Sequence, residues 1–212
     1  MWNFEGKVVA VTGASRGIGF EIARQFALAG AQVGICSPHM DRVEKAAREI
    51  GGDIFTYQAD VSDIQQNDAF IQAVIEKFGK IDILICNAGV EVRKPCMEIT
   101  PDEWDWMFQV NTRSFFFGAM TAARDMIKRN IPGIIIGVSS VNAQTVVPGL
   151  SVYAATKCAM NHLAESMSRE LGKQGIRVNC IAPGSILTDI NRHIYCIPEN
   201  LKALQDKLPL ER

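Results

Sequence analysis

The chain has 212 residues, 48% of them hydrophobic, which is enough for one compact domain with a substantial core and leaves little room for a second. Its formal net charge is −1 and it has no dense basic run, which argues against nucleic acid or an anionic membrane as the main partner. The N-terminus is too polar for a signal peptide and the apolar runs are too short to cross a bilayer, so we expect a soluble, cytoplasmic protein.

The first predicted element is a continuous apolar strand over residues 7–12, a pattern typical of a strand covered on both faces. Residues 12–19, Thr-Gly-Ala-Ser-Arg-Gly-Ile-Gly, follow it, and a helix that Gly30 closes comes next. Glycines let a backbone approach a pyrophosphate, and the N-terminus of a helix attracts its negative charge. Tight turns also use glycines routinely, but the position between a buried strand and a helix favours a nucleotide site.

Strands and helices alternate through the rest of the chain. Further strands are predicted over residues 32–36, 54–59, 81–86, 133–139 and 176–182. Helices are predicted over residues 40–50, from a capping box at 62–65 to Gly79, from a second capping box at 100–103 to about Asn130, and over 151–171. This alternation predicts an α/β fold with a doubly wound parallel sheet between two helical layers, the Rossmann arrangement.

Ligands of such sheets bind beyond the carboxyl ends of the strands. The residues at those ends are polar or small: Gly13, Asp60, Asn87, Ser140 and Gly184. Their convergence on one edge predicts a binding site there.

The six cysteines include no Cys-x-x-Cys pair and there are only three histidines, so we expect no metal site. Several cysteines fall within apolar, strand-like runs. Reduced thiols, buried as small apolar side chains, are therefore the expected state.

Tyr153 and Lys157 stand four residues apart on a predicted helix, which places both on one face. A phenol exchanges protons near pH 7 only if a positive charge stabilises its phenolate, and Lys157 would supply that charge. Taken alone, the pair fits a surface lysine beside a helical tyrosine better than a catalytic pair.

Taken in order, these motifs resemble those of the short-chain dehydrogenase/reductase family over almost the whole chain. Residues 12–19 match its Thr-Gly-x-x-x-Gly-x-Gly, and residues 86–89 match its Asn-Asn-Ala-Gly with Cys86 in place of the first Asn. The resemblance implies the catalytic residues Asn111, Ser140, Tyr153 and Lys157. It also implies a cofactor-binding shell of Gly13, Ser15, Arg16, Gly17, Ile18, Gly19, Ser37, Asp60, Val61, Asn87, Ala88, Gly89, Tyr153, Lys157, Pro183, Gly184, Ile186 and Thr188.

The resemblance assigns a role to each catalytic residue. Tyr153 is expected to be the general acid in reduction and the base in oxidation, with a pKa lowered by Lys157 and by an oxidised nicotinamide. Ser140 would stabilise the substrate oxygen, and Lys157 would also hold the nicotinamide ribose. Asn111 would position a water that links Lys157 to solvent. Ser139 is an alternative to Ser140 for this role, but the family's spacing to Tyr153 favours Ser140. A purely structural role is the alternative for each residue: a turn at the end of a strand for the serines, and a hydrogen bond to a neighbouring helix for Asn111.

The end of the second strand bears on the cofactor. NAD-preferring members usually carry an acidic residue there, whereas residues 36–39 read Cys-Ser-Pro-His. Arg16 and Ser37 are placed to bind a 2′-phosphate, although Arg16 fits a solvated loop cation equally well. NADP(H) is therefore favoured over NAD(H).

The segments expected to touch substrate are residues 90–97, 142–150 and the region after Gly184, including Ile194 and Tyr195. They carry few fixed charges, which suggests a neutral or mostly apolar carbonyl or secondary alcohol. Arg93 and Lys94 fit either an anionic group or a solvated loop.

Phe115, Phe116 and Phe117 cannot share one side of a helix, so some of their ring area must meet a second layer or another subunit. A homodimer or homotetramer is therefore expected.

Residues 1–212 are expected to form a single NAD(P)-binding domain. The family normally continues beyond Leu210-Glu211-Arg212 into another helix and a last strand.

The leading prediction is an NAD(P)-dependent oxidoreductase of carbonyls and alcohols, similar to 3-oxoacyl-carrier-protein reductases or sugar dehydrogenases. A non-catalytic dinucleotide sensor or scaffold on the same fold is the alternative. Sugar-nucleotide epimerases are disfavoured because they usually space their glycines differently.

Overall fold

The computed structural model describes residues 2–188, 192 and 196–206. Its six strands form one parallel sheet in the order β3-β2-β1-β4-β5-β6, which confirms the predicted doubly wound topology. The strands are β1 (Val8–Thr12), β2 (Gln32–Ser37), β3 (Ile54–Gln58), β4 (Ile83–Cys86), β5 (Gly133–Val138) and β6 (Ile176–Ile181). Their order reverses between β1 and β4, and the loops that follow these two strands form the centre of the binding edge.

Helices cover both faces of the sheet. They are α1 (Gly17–Leu28), α2 (Met40–Ile50), α3 (Ile64–Phe78), α4 (Pro101–Phe108), α5 (Ser114–Arg129), α6 (Ser151–Leu171) and α7 (Pro198–Gln205). Buried residues of α1 and α2 pack in one apolar cluster with β1, β2 and β4. Buried residues of α3, α5 and α6 form a second cluster on the opposite face, centred on Phe70, Phe115 and Met160. The strands are therefore covered on both sides, which explains their continuous apolar runs.

The capping predictions were right at one helix and wrong at another. The Thr100 hydroxyl oxygen accepts a hydrogen bond from Glu103 N, and the Glu103 carboxylate accepts one from Thr100 N, with Pro101 at the first helical position. At α3 the cap is Asp63, whose carboxylate accepts from the N–H groups of Gln65 and Gln66. Ser62, the predicted cap, instead donates to Asp60 Oδ1 at 2.7 Å. Because the Ser62 hydroxyl is bound to Asp60, it does not cap α3.

The predicted helix from 100 to 130 is interrupted by a π turn, Gln109–Arg113, between α4 and α5. Such turns insert one extra residue per turn and frequently lie at functional sites. Asn111 is in this turn, and Asn130 ends α5 in the left-handed conformation.

The phenylalanine triplet diverges as predicted. Phe115 is buried, Phe116 packs partly against the core and Phe117 is 40% exposed.

The predicted burial of the cysteines was right for Cys36 and Cys86, which are buried and free, and wrong for Cys96, Cys158 and Cys196, which are free but exposed.

None of the helices in the described part of the chain has the length and apolar character that a membrane crossing requires. Ile194, Tyr195 and residues 210–212, which carried sequence predictions, lie outside the described residues.

Candidate active site

The glycine turn after β1 is packed against the loop after β4. The side chain of Asn87 donates to the carbonyls of Thr12 and Gly13, both at 3.0 Å. The backbone N–H groups of Asn87 and Ala88 donate to Thr12 Oγ1, both at 3.1 Å. A Cβ on Gly13 would lie 2.7 Å from Ala88 Cα, and one on Gly19 would lie 2.3 Å from Asn87 Nδ2. Asn87 and Ala88 therefore shape the turn, and two of its glycines are required by that contact.

The N-terminus of α1 opens from this turn. Arg16 is its N-cap in an extended conformation, and its side chain is exposed and makes no cap hydrogen bond. The first-turn N–H groups of a helix have no partner within the helix, so they remain able to bind an anion. Ser15, Gly17 and Ile18 are half-buried beside them. A glycine cradle that leads into an uncapped helix fits the pyrophosphate of a dinucleotide.

The carboxyl ends of β2 and β3 lie beside the turn. Ser37 is buried at the end of β2, where its hydroxyl donates to His39 O at 2.9 Å and accepts from His39 N at 3.2 Å. The Ser37 hydroxyl is thus paired with the backbone of His39, and its hydrogen bond to a phosphate stays a prediction. Asp60 accepts from the N–H and hydroxyl of Ser62, and Val61 is 5% exposed. These two residues lie just after β3 at this edge of the sheet.

The structure distinguishes the two serines after β5. Ser139 donates its hydroxyl to Lys157 O at 3.3 Å, so it is turned toward α6. Ser140 Oγ accepts from Asn142 N at 3.1 Å, and an interaction with the Ser140 side chain lowers the pKa of Tyr153. Ser140 therefore stays the predicted contact for a substrate oxygen.

Tyr153 and Lys157 are both largely buried on the inner face of α6. Burial raises the pKa of Tyr153, a hydrogen bond with Ser140 lowers it, and the negative charge of Glu91 raises it further. Burial lowers the pKa of Lys157 to about 8. The expectation that Lys157 lowers the pKa of Tyr153 is therefore not met by the chain's own groups, because burial has the largest effect on the phenol.

The ammonium of Lys157 has a fixed position. It donates to Val138 O at 2.8 Å, lies 3.6 Å from Met160 Sδ, and is 5.8 Å from the centre of the Tyr153 ring. An ammonium has three donor hydrogens, and Val138 accepts only one of them. Lys157 therefore keeps donor capacity for ribose hydroxyls at this edge of the sheet.

The side chain of Asn111 joins the π turn to its surroundings. Asn111 Oδ1 accepts from Val90 N at 2.8 Å, and Nδ2 donates to Val90 O at 2.9 Å and to Thr156 Oγ1 at 3.0 Å. A methyl group placed on Gly89 would lie 3.4 Å from Lys157 Nζ and 3.5 Å from Asn111 Oδ1. The two polar atoms thus border the same small space beside Gly89. The structural alternative for Asn111, a hydrogen bond to a neighbouring helix, is also present as its contact with Thr156 of α6.

The segment after β6 lies at the same edge of the sheet as the glycine turn. Pro183 O accepts from Val141 N at 3.1 Å, which ties this segment to the turn that begins at Ser140. Gly184 and Ile186 are exposed, and a methyl group on Gly17 would lie 3.6 Å from Thr188 Cγ2. The predicted cofactor residues from both ends of the chain therefore meet at one edge.

The sequence analysis assigned no role to three residues of this region. Thr12 and Thr156 supply the hydroxyls that hold Asn87 and Asn111, and both lie inside motifs that were recognised. Glu91 lies in the loop after β4 and acts on Tyr153 through its charge. No sequence pattern identified Glu91, because its relation to α6 depends on how the loop folds.

Comparison with known proteins agrees with this geometry. The short chain dehydrogenase family matches residues 7–196. The chain is 35% identical to 3beta-hydroxysteroid dehydrogenase 1 of Eggerthella lenta, over 98% of this chain and 81% of that protein. It is 34% identical to carbonyl reductase [NADPH] 2 of Sus scrofa, over 99% of this chain and 84% of that protein.

A solved structure extends the comparison to three dimensions. The short-chain type dehydrogenase/reductase from Mycobacterium marinum is 32% identical, and it superposes with a TM-score of 0.92 over 99% of this chain and 84% of that chain. These matches indicate an NAD(P)-dependent oxidoreductase acting on CH–OH or carbonyl groups. The glycine turn, the polar residues at the strand ends and the extent of the match together show that the chain belongs to the short-chain dehydrogenase family.

Proposed function

We propose that this chain is a cytoplasmic, single-domain carbonyl reductase or alcohol dehydrogenase in which Tyr153 transfers the proton and NADP(H) is the preferred cofactor. One observation carries the proposal: the Tyr153 and Ser140 side chains interact beside the buried ammonium of Lys157, at the same edge as the glycine turn. A panel of carbonyls and alcohols, assayed with NADPH and NADH and their oxidised forms, tests it.

When bound, the nicotinamide would supply or accept the hydride, and the remaining chemistry belongs to the chain. A carbonyl oxygen held by Ser140 and Tyr153 would gain negative charge as the hydride arrives. The Ser140 hydroxyl stabilises this charge, and Tyr153 donates its proton to the oxygen. Because burial raises the pKa of Tyr153, the phenol holds its proton at neutral pH, which suits the reductive direction.

Lys157 and Asn111 support this step. The buried ammonium of Lys157, held by Val138 O, keeps positive charge near the phenol and has donors left for ribose hydroxyls. Because Lys157 Nζ and Asn111 Oδ1 border the same space beside Gly89, they suit a relay that returns a proton to Tyr153. Asn111 also fixes Val90 and Thr156, and so it holds the β4 loop against α6.

The proposed cofactor preference rests on Arg16. Its exposed side chain at the start of α1 suits a 2′-phosphate, while the end of β2 carries no acidic residue to bind a free 2′-hydroxyl. The name of the pig relative includes NADPH, in agreement with this assignment.

Arg16→Gln is expected to raise KM for NADPH by roughly tenfold to a hundredfold while changing KM for NADH less than threefold, since one charge-assisted contact is lost. Steady-state kinetics with both cofactors measure this. Arg24→Gln is the matched control, because Arg24 lies on the same helix and pairs with Glu21 at 2.7 Å on its exposed side. An equal rise in both KM values would remove Arg16 from the 2′-phosphate site.

We further propose a homodimer or homotetramer that buries Phe117. This ring is 40% exposed beside a groove lined by Phe108, Phe116 and Leu163. Light scattering at micromolar concentration is expected to give a multiple of the 23.3 kDa chain mass, and Phe117→Asp is expected to reduce it. A mass of one chain for the unmodified protein would exclude this assembly.

A further inference from the structure

The ammonium of Lys157 contacts a sulfur atom as well as a carbonyl. Met160 lies three residues further along α6, and residues at this spacing are neighbours on one helix face. Its Sδ is 3.6 Å from Lys157 Nζ, within the range of a hydrogen bond to sulfur, and both side chains are almost fully buried. The thioether is therefore a second acceptor for the ammonium, beside Val138 O at 2.8 Å.

Two acceptors restrict the ammonium more than one does. A single hydrogen bond to Val138 O leaves the other two hydrogens free to rotate about it, whereas Met160 Sδ fixes a second direction. The third hydrogen is then left for the space beside Gly89, where a methyl group would lie 3.4 Å from Nζ. Because a thioether is a weak acceptor, it orients the ammonium and still yields its hydrogen to a hydroxyl oxygen that binds here.

The position of this sulfur is itself set by the sheet. Met160 packs over Gly137 of β5, where a methyl group would lie 3.2 Å from Met160 Cε and 2.9 Å from Cys180 Sγ. The Cys180 thiol in turn lies 3.7 Å from Met160 O. A side chain at residue 137 would crowd the thioether, so the glycine keeps the space that the sulfur needs to reach Lys157.

The titratable groups that face Lys157 are uncharged at neutral pH. The Tyr153 ring centre is 5.8 Å from Nζ, and burial raises the pKa of this phenol. The Cys180 thiol of β6 interacts with Lys157 electrostatically, but burial raises the pKa of this thiol to about 11. Support for the buried ammonium at pH 7 therefore comes from neutral acceptors such as Val138 O and Met160 Sδ.

We propose that Met160 is a positioning residue, whose sulfur orients the Lys157 ammonium and helps to keep it protonated inside the fold. This inference rests on the proposed function, in which Lys157 supports proton transfer by Tyr153. Leucine would fill a similar volume at residue 160 but has no acceptor for the ammonium. Burial already lowers the pKa of Lys157 to about 8, so a modest loss of support brings this pKa close to neutral.

The test measures the pKa of Lys157 directly, from the pH dependence of its Cε signal in protein labelled with 13C-lysine. The absence of that signal in Lys157→Met assigns it. Met160→Leu is expected to lower the midpoint of this titration by roughly 0.5 to 1, the effect of losing one weak hydrogen bond to a charged group. It is also expected to lower kcat for carbonyl reduction at pH 7 by roughly threefold to tenfold, because the ammonium is less well oriented.

Met167→Leu is the matched control. Met167 is 3% exposed on the same helix and belongs to the same apolar cluster, two turns beyond Met160. The same exchange of methionine for leucine there is expected to leave both the Lys157 titration and kcat unchanged. A role in packing alone would make the two variants behave alike.

The outcomes separate this inference from the proposed function. A Lys157 titration that Met160→Leu does not alter would overturn the role of Met160 alone, as would a lower pKa with wild-type kcat. Absence of turnover by the wild-type protein with every carbonyl and alcohol of the panel would overturn the proposed function, and the positioning role with it.

Discussion

Tyr153→Phe is expected to lower kcat for carbonyl reduction by about a thousandfold, within the range of loss of a general acid. The variant keeps the ring, which packs on the inner face of α6, and removes only the hydroxyl beside Ser140. Cofactor binding, followed by the fluorescence of bound NADPH, is expected to change less than threefold, because the glycine turn and α1 are untouched. The free energy of unfolding is expected to change by about 1 kcal/mol at most, since Ser140 still accepts from Asn142.

The pH profile gives a second measurement of Tyr153. Its raised pKa means that the phenol is protonated at neutral pH and loses its proton only under alkaline conditions. Alcohol oxidation needs the phenolate, so its kcat/KM is expected to rise with pH up to that pKa. Carbonyl reduction needs the phenol, so its kcat/KM is expected to fall only above it.

Tyr57→Phe is the matched control. Tyr57 lies on β3 with its ring 6.1 Å from that of Phe70, and loss of its hydroxyl is expected to leave kcat unchanged. Wild-type turnover in Tyr153→Phe would refute its role as proton donor.

Lys157→Met is expected to lower kcat at least a hundredfold and, at pH 7, to make the protein more stable. The side chain is 3% exposed, and burial lowers the pKa of its ammonium from 10.5 to about 8. Holding that charge in the folded state therefore costs about 3 kcal/mol at neutral pH. Methionine fills similar space without charge, and the unpaired Val138 carbonyl costs about 1 kcal/mol. The net gain in the free energy of unfolding is about 2 kcal/mol.

This gain is expected to disappear as the pH rises. Below pH 8 the lysine carries its proton in both the folded and unfolded chains, so it does not make the free energy of unfolding depend on pH. Between pH 8 and 10.5 the unfolded chain holds a proton that the folded chain has released, so wild-type stability rises with pH. Lys157→Met lacks this increase.

Urea unfolding of wild type and variant at pH 7 and pH 10 measures the difference. Lys173→Met, at an exposed lysine just after α6, is expected to show neither the gain nor its pH dependence. A Lys157→Met protein less stable than wild type at pH 7 would show that the ammonium is better compensated than its contact with Val138 indicates.

The sequence predicted most of the architecture because its signals are local. Continuous apolar runs, glycine turns and capping residues each depend on a few neighbouring positions, and the six predicted strands end within two residues of those observed. The cap of α3 was missed because Asp63 and Ser62 are both good caps. The choice between them depends on Asp60, which binds the Ser62 hydroxyl.

The order of the motifs also identified the residues that meet at the binding edge, since parallel strands bring their carboxyl ends together whatever the detailed packing. The electrostatics of the site depended on the tertiary structure. The pKa of Tyr153 follows from its burial and from the charge of Glu91, and that of Lys157 from burial beside Val138. The burial of these side chains and the electrostatic effect of neighbouring charges depend on segments that are distant in sequence. No local sequence pattern therefore predicts these pKa values.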